Sequence, residues 1–180
     1  MFPITSFEKG VLICLLCWIV GTAVALDYPM LLKSSALPNY HFIYSKSLYI
    51  NFSDSWKILL NNLFTGFILC ILGYLSLGFL AIMVSLYNGY IFGLVVNAFV
   101  SKYAFASMYL VFLHAPMEVY ALCYLGAIGL MGFSNLRKIL AHEPVVYFEQ
   151  FPRLHFFFLP ILFLAIAACI ESDLLFNIIL

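Results

Sequence analysis

The feature that most constrains the fold is a run without any formal charge, from residue 58 to residue 101. At about 1.5 Å per residue, this run is too long for one helix across a bilayer core about 30 Å thick. Charged residues make up 9% of the whole chain, whereas soluble domains contain about 25%. The sequence therefore predicts an integral membrane protein, and it predicts two spans within this run.

The turn between these two spans has two possible positions. Gly73 and Gly78 bracket a short segment that would divide the run into two spans of similar length. The dipeptide Asn88-Gly89 is also a turn signal, but a turn there would leave one very long and one very short helix. The first position is preferred, and the second is the alternative.

Three further apolar runs complete the prediction of an all-α, polytopic membrane protein with about five transmembrane helices. The first run could be a signal peptide, but Ala23-Val24-Ala25 matches a cleavage site only weakly, so an uncleaved span is preferred. Residues 134–153 are rich in charge and are predicted to form a polar loop. Residues 1–180 would form a single membrane domain, with spans at about 10–27, 56–74, 78–100, 104–133 and 154–171.

A histidine, a proline and a glutamate interrupt the apolar run at residues 110–133. Glu118 is the only residue with a fixed charge between Lys102 and Arg137. A carboxylate at the centre of a bilayer costs roughly 2.5–3.5 kcal/mol. A partner side chain, a water-filled cavity or protonation has to offset that cost. On a helix, His114 would share a face with Glu118.

Pro116 lies between these two polar residues. It has no N–H to donate, which leaves the carbonyl of Phe112 without its helical partner. We therefore expect the fourth helix to be broken or kinked at Pro116. A helix that begins near Pro116 would place Glu118 in its first turn, where the helix dipole favours an anion.

Polar and small residues inside the spans predict how the helices hold together. Interhelical hydrogen bonds contribute about 0.6–2 kcal/mol each. The predicted intramembrane polar cluster comprises His114, Glu118, Asn61, Asn62, Asn88 and Asn97. The predicted helix-packing glycines are Gly66, Gly73, Gly89, Gly93, Gly126 and Gly129. Gly89 and Gly93 form a G-x-x-x-G pair, interpreted as packing within the protein, with dimerisation as the alternative.

The sequence predicts no catalytic residue, no metal site and no cofactor. His114 and Glu118 supply two possible ligands where a catalytic zinc requires three. The spacing Cys14-x-x-Cys17 is interpreted as a pair of small apolar residues, with a redox pair or half a metal site as the alternative. No P-loop motif occurs, so any ATP hydrolysis would come from another chain. A net charge of zero gives no reason to expect nucleic acid as a partner.

Several of these residues occur together in a recognisable order. The set is Asn61-Asn62-Leu63, Gly66 and Gly73, Asn88-Gly89 with Gly93, His114-x-x-x-Glu118 and residues 125–130. Over about residues 56–133, this order resembles the stage II sporulation protein M (SpoIIM) family of integral membrane proteins. The family usually has H-G-x-x-E, whereas Ala115 and Pro116 occupy the middle of the motif here.

The resemblance implies a short family member without a soluble domain, in the bacterial cytoplasmic membrane. It implies a non-enzymatic scaffold or transport-associated subunit. The sporulation member of the family works with peptidoglycan hydrolases at the engulfing septum. Other short members occur among proteins for maturation, export or immunity of circular bacteriocins, beside ABC-type ATPases. The partners expected are therefore the lipid bilayer and other membrane proteins, either an ABC-type ATPase or permease or peptidoglycan hydrolases.

Two other functions stay open from the residues themselves. In the first, the protein is a channel or carrier in which Glu118 binds a proton or a cation. In the second, it is an intramembrane enzyme in which His114 and Glu118 form a general acid–base pair. No nucleophile stands in a recognisable sequence context, so the enzyme is the weaker alternative.

Overall fold

The structure, a computed structural model, describes residues 4–27, 52–102, 108–144 and 151–177. Within these ranges it consists of helices and turns and has no strand. Five helical segments are long and apolar enough to cross a membrane, which confirms the all-α, five-span architecture. These spans are Phe7–Asp27, Ser55–Leu75, Phe79–Asn97, Leu113–Leu140 and Leu154–Ser172.

Seven α-helices and two irregular helical turns make up these spans in the described residues. In chain order they are α1 (Ile4–Asp27), α2 (Phe52–Phe67), a π-helical turn (Ile68–Leu72), α3 (Gly73–Leu75), α4 (Phe79–Lys102), α5 (Met108–Leu130), α6 (Phe133–Leu140), a 3-10 turn (Leu154–Phe157) and α7 (Phe158–Asn177). The second span is thus one continuous helix with a widened turn inside it. Pro160 lies in the first turn of α7, where a proline interrupts no helical hydrogen bond.

The turn between the second and third spans lies at residues 76–78, inside the segment preferred from the sequence. Gly78 has a φ of 90°, a value that glycine adopts without steric cost. Its N–H donates to the carbonyl of Gly73 over 2.8 Å, which closes the turn. Helix α4 continues through Asn88 and Gly89, so the alternative turn at that dipeptide is wrong.

Helix α5 begins at Met108 and continues through Pro116. The prediction of a helix that starts near Pro116 is therefore wrong, and the chain has no break there. In a bilayer every backbone polar group has to be satisfied within the protein, which favours an unbroken helix on both sides of the proline. A proline in this interior position kinks a helix rather than ends it.

The predicted polar loop at residues 134–153 contains a helix. Helix α6 follows α5 after a short turn and carries Arg137 and Lys138 in its last turn, where cations favour the helix dipole. Ser134 Oγ donates to the carbonyl of Met131 over 2.7 Å at the start of α6. The prediction of a loop is wrong for α6, because the charged residues of this segment lie on one side of a short amphipathic helix.

Helix α5 forms the centre of the bundle. All residues from 121 to 129 are buried, because α1, the second span, α4 and α7 all pack against α5. The described core consists of residues from three spans: Leu69, Cys70, Ala121, Leu122, Tyr124, Leu125, Ile128 and Leu164. The other four spans expose large apolar side chains on their outer faces, as expected for surfaces in contact with lipid.

Successive spans run in opposite directions, and this alternation decides which residues can meet. Gly10 near the start of α1 lies against Ala127 near the end of α5. Ser55 at the start of the second span bonds Ser172 at the end of the fifth. The start of α5 and the end of α7 therefore lie at the same end of the bundle.

Candidate functional site

His114 and Glu118 lie one turn apart on α5, as the sequence predicts for a helix. The structure brings a third residue, Glu171 of α7, next to them. The ligand atoms of the three side chains all lie within 4.8 Å of one another, and all three residues are half-buried. We call this group the His-Glu-Glu cluster. It lies near the start of one span and near the end of another, and therefore close to one face of the membrane.

The two carboxyl groups of the cluster lie close together on different helices. The ligand atoms of Glu118 and Glu171 are within 4.8 Å of each other, so the two carboxylates repel each other when both are ionised. Because electrostatic interactions strengthen in a medium of low dielectric constant, two like charges at this separation demand a compensating positive charge. The arrangement is suited to hold a proton or a cation between two helices.

A pair of serines fixes the end of α7 beside the cluster. The Ser55 hydroxyl donates to Ser172 Oγ over 2.6 Å. Ser172 Oγ donates to the carbonyl of Cys169 over 2.9 Å. Ser172 follows Glu171 directly, so these bonds connect the start of the second span to the turn that carries Glu171.

Glu171 and the serine pair were not among the residues singled out from the sequence. In the sequence, Glu171 lies at the end of the last apolar run. The signal that could have found it is the alternation of spans. With five spans, the start of the fourth and the end of the fifth lie on the same side of the membrane. An acid at the end of the fifth span can then face His114 and Glu118.

The four asparagines of the predicted cluster have different surroundings. Asn61 is exposed on the outer face of α2, whereas Asn62 is buried. Asn88 Nδ2 donates to the carbonyl of Val84, within its own helix, over 2.9 Å. Asn97 is half-buried near the end of the third span.

Asn62 differs from the other three asparagines of the predicted cluster because its amide nitrogen is both buried and unsatisfied, as that of Asn135 is at the start of α6. The exposed fraction of Asn62 is 6%. Among the described residues, its Nδ2 has no hydrogen-bond partner. A buried amide without a partner costs about 1–3 kcal/mol, so such a group in a native protein calls for an explanation.

The six predicted packing glycines are all buried at contacts between spans. A Cβ at Gly89 would overlap the carbonyl of Trp18, and one at Gly129 would overlap the carbonyl of Leu69. The remaining contacts are Gly66 with Leu125, Gly73 with Ala81, Gly93 with Thr22 and Gly126 with Cys14. The G-x-x-x-G pair on α4 therefore packs against α1 of the same chain. Thr22 Oγ1 lies 3.0 Å from the carbonyl oxygen of Gly89, which adds a polar contact there.

A comparison with protein families agrees with this architecture. The family model described as stage II sporulation protein M matches residues 10–173. The chain belongs to the stage II sporulation protein M family. The match covers all five spans, whereas the sequence motifs alone carried the resemblance over about residues 56–133. It also includes all three residues of the His-Glu-Glu cluster.

Neither a comparison with curated proteins nor one with solved structures finds a match for the chain. The stage II sporulation protein M family is not a known enzyme family.

Proposed function

We propose that this stage II sporulation protein M family member is a non-enzymatic scaffold or transport-associated subunit of a complex in the cell membrane. The observation that carries the proposal is the close contact between backbones. Gly89 on α4 lies against Trp18 on α1, and Gly129 on α5 lies against Leu69 in the second span. Backbones in such contact cannot slide past each other without losing their packing. A bundle of this kind is better suited to hold partners than to alternate between two open states.

The outer face of α4 offers a surface for such a partner. Its exposed large side chains recur every four residues, at Phe79, Met83, Tyr87, Ile91 and Val95. A ridge with this spacing fits either lipid chains or the groove of another transmembrane helix. In a scaffold, part of the apolar surface has to contact protein rather than lipid.

The experiment that tests the scaffold proposal is affinity purification from native membranes in mild detergent, with mass spectrometry of the co-purifying proteins. A photo-crosslinking residue at Tyr87 reports contact with the α4 ridge, and the same residue at Leu16 on α1 is the control. A stoichiometric partner that crosslinks from Tyr87 but not from Leu16 supports the proposal. A protein that purifies alone, as a monomer and without crosslinks, contradicts it.

The identity of the partner distinguishes two biological settings that the family resemblance suggests. An ABC-type ATPase or permease would make the protein a factor for the maturation, export or immunity of a circular bacteriocin. Peptidoglycan hydrolases would make it a partner in cell-wall remodelling, as in engulfment during sporulation.

A second candidate function, an ion- or proton-linked channel or carrier, is favoured by the His-Glu-Glu cluster. Ionisable residues inside a membrane protein commonly mark an ion pathway or a proton relay. Reconstitution into liposomes, with pH-sensitive and cation-sensitive dyes inside, tests this function. Flux that both Glu118→Gln and Glu171→Gln abolish supports a carrier. Absence of flux in the wild-type protein rejects it and leaves the scaffold.

A further inference from the structure

The donor atoms of the His-Glu-Glu cluster are arranged as in a metal site. Their separation, at most 4.8 Å, is close to the value that one shared ion requires. Zinc binds an imidazole nitrogen or a carboxylate oxygen at about 2.0–2.2 Å, so tetrahedral ligands stand about 3.4 Å apart. The remaining difference has to come from rotation about the three side-chain bonds of Glu118 and Glu171.

The chemistry of the donors selects the class of ion. One imidazole and two carboxylates form a mixed nitrogen and oxygen set, which suits divalent first-row transition metals such as Zn²⁺, Fe²⁺ and Mn²⁺. Ca²⁺ and Mg²⁺ prefer sites built from oxygen alone. The spacing of four residues between His114 and Glu118 puts both donors on one face of α5, and Glu171 approaches from α7.

The charge of the cluster points to the same class of ligand. Glu118 and Glu171 together carry two negative charges when ionised, and like charges within 4.8 Å of each other repel. A divalent ion neutralises both charges and binds His114 in its neutral form. The neutral assembly can then lie inside the apolar layer without the cost of an unpaired carboxylate.

The buried amide of Asn62 is an independent observation at the same level of the bundle. Gly66, one turn further along α2, lies against Leu125 of α5, and these two helices run in the same direction. Asn62 therefore lies level with about residue 121, less than one helical turn from Glu118. Carboxylates that bind a metal usually accept hydrogen bonds from neighbouring groups. The Nδ2 of Asn62 has no partner among the described residues, and it lies at the height in the bundle at which such a donor is needed.

We propose that His114, Glu118 and Glu171 bind one divalent first-row transition-metal ion, which connects α5 to α7 near one face of the membrane. The site supplies three protein ligands, so water completes the coordination of the ion. The ion would fasten the end of the last span to the central helix. This role is independent of which partner the protein holds.

Metal binding can be measured on the full-length protein, purified with a tag that contains no histidine and reconstituted into nanodiscs. After treatment with EDTA, the protein is titrated with Zn²⁺, and bound zinc is determined by elemental mass spectrometry. We expect one Zn²⁺ per chain and a higher midpoint of thermal unfolding in its presence. The variants His114→Ala and Glu171→Gln should each weaken zinc affinity at least tenfold. Mutations of residues outside the first ligand shell already cost 10–100-fold at metal sites.

Two matched controls use the same types of residue outside the cluster. His142 and Glu143 are exposed in the loop after α6, at the opposite end of the bundle. The variants His142→Ala and Glu143→Gln should bind zinc as the wild-type protein does. The retention volume in size-exclusion chromatography shows whether each variant is folded. If Glu171→Gln does not fold, Glu171→Asp keeps the carboxylate and should bind zinc with reduced affinity.

Three results would overturn the proposal. One is wild-type protein that binds no stoichiometric zinc. Another is equal affinity in the wild type and in both cluster variants. The third is loss of zinc binding in His142→Ala or Glu143→Gln, which would place the metal elsewhere. The outcome is separate from the partner assay, because a scaffold without a metal can still hold its partners.

Discussion

The contact between Gly129 and Leu69 makes a prediction whose size can be worked out from the structure. Gly129 lies on the buried face of α5, against the π-helical turn of the second span. A Cβ at Gly129 would overlap the carbonyl oxygen of Leu69 and approach Ala81 Cβ to 3.1 Å. Because the carbonyl oxygen of Leu69 belongs to the backbone, a rotamer change cannot relieve the overlap. In the variant Gly129→Ala, the two spans have to move apart.

Two effects of opposite sign decide the free energy of unfolding of Gly129→Ala. Overpacking of a close-packed interior costs typically about 1–3 kcal/mol. Alanine is favoured over glycine inside a helix by roughly 0.5–1 kcal/mol. Since the neighbour of Gly129 is a backbone atom, we expect an overpacking cost at the upper end. The net loss of stability should therefore be about 2–2.5 kcal/mol.

The assay is reversible unfolding in mixed micelles, with the fraction of sodium dodecyl sulfate as the denaturing variable and helical circular dichroism as the signal. The matched control is Gly10→Ala, which makes the same chemical change on α1. There the closest atom is the side-chain Cβ of Ala127, at 3.1 Å, with no overlap of a backbone atom. The small cost of this contact is offset by the roughly 0.5–1 kcal/mol by which alanine is favoured over glycine in a helix, so we expect a change within about 0.5 kcal/mol. The reasoning fails if Gly129→Ala is as stable as the wild type, or if Gly10→Ala loses as much.

Three further predictions use the same unfolding assay. Ser172→Ala removes the bond to Ser55 and should cost about 0.6–1.5 kcal/mol; an unchanged midpoint would count against a bond between the second and fifth spans. Thr22→Val keeps the shape of the side chain but removes its hydroxyl contact with Gly89, so a loss of about 0.5–1 kcal/mol is expected, and a gain would contradict it. Gly78→Ala forces a side chain into a backbone with positive φ and should cost about 1–2 kcal/mol; a stability equal to the wild type would show that the turn adopts another conformation.

The five-span fold could be predicted from the sequence because the bilayer leaves few alternatives. A long run without charge has to be helical and has to turn once it exceeds the thickness of the membrane. The same requirement explains why the prediction of a helix that begins near Pro116 was wrong. The missing N–H of the proline leaves one carbonyl without its partner, whereas a helix that began there would expose many backbone groups to lipid.

Helix α6 shows the limit of reasoning from charge alone. The residues Arg137 and Lys138 end the apolar run and indicate a loop. In the structure they lie in the last turn of α6, and the guanidinium of Arg137 lies 6.0 Å from the ring centre of Phe133. An amphipathic helix of eight residues is too short to show a clear hydrophobic period in the sequence. Its charged residues therefore indicated a loop, and its apolar side was not recognised.

The candidate site could be predicted only in part because two of its residues lie on one helix and the third comes from a distant helix. His114 and Glu118 are neighbours on one helix, and a spacing of four residues reveals such a pair. Glu171 joins them through the packing of α7 on α5, which depends on the direction and neighbours of every span. The serine pair beside Glu171 is likewise a contact between two distant segments. Contacts of this kind require the topology before any residue can be assigned.

The two halves of α5 have different environments, and this difference connects the packing to the candidate site. From residue 121 to residue 129 the helix is enclosed on all sides, whereas Leu113 and Tyr120 in the first half are exposed. The enclosed half holds α5 at a fixed height against α1 and the second span, because backbone contacts at Gly129 allow little movement. The height of α5 determines the level at which His114 and Glu118 meet Glu171. A shift of one residue along the helix axis, about 1.5 Å, would be enough to disturb a shared ligand. The close packing at one end of α5 is therefore what keeps the polar cluster assembled at the other.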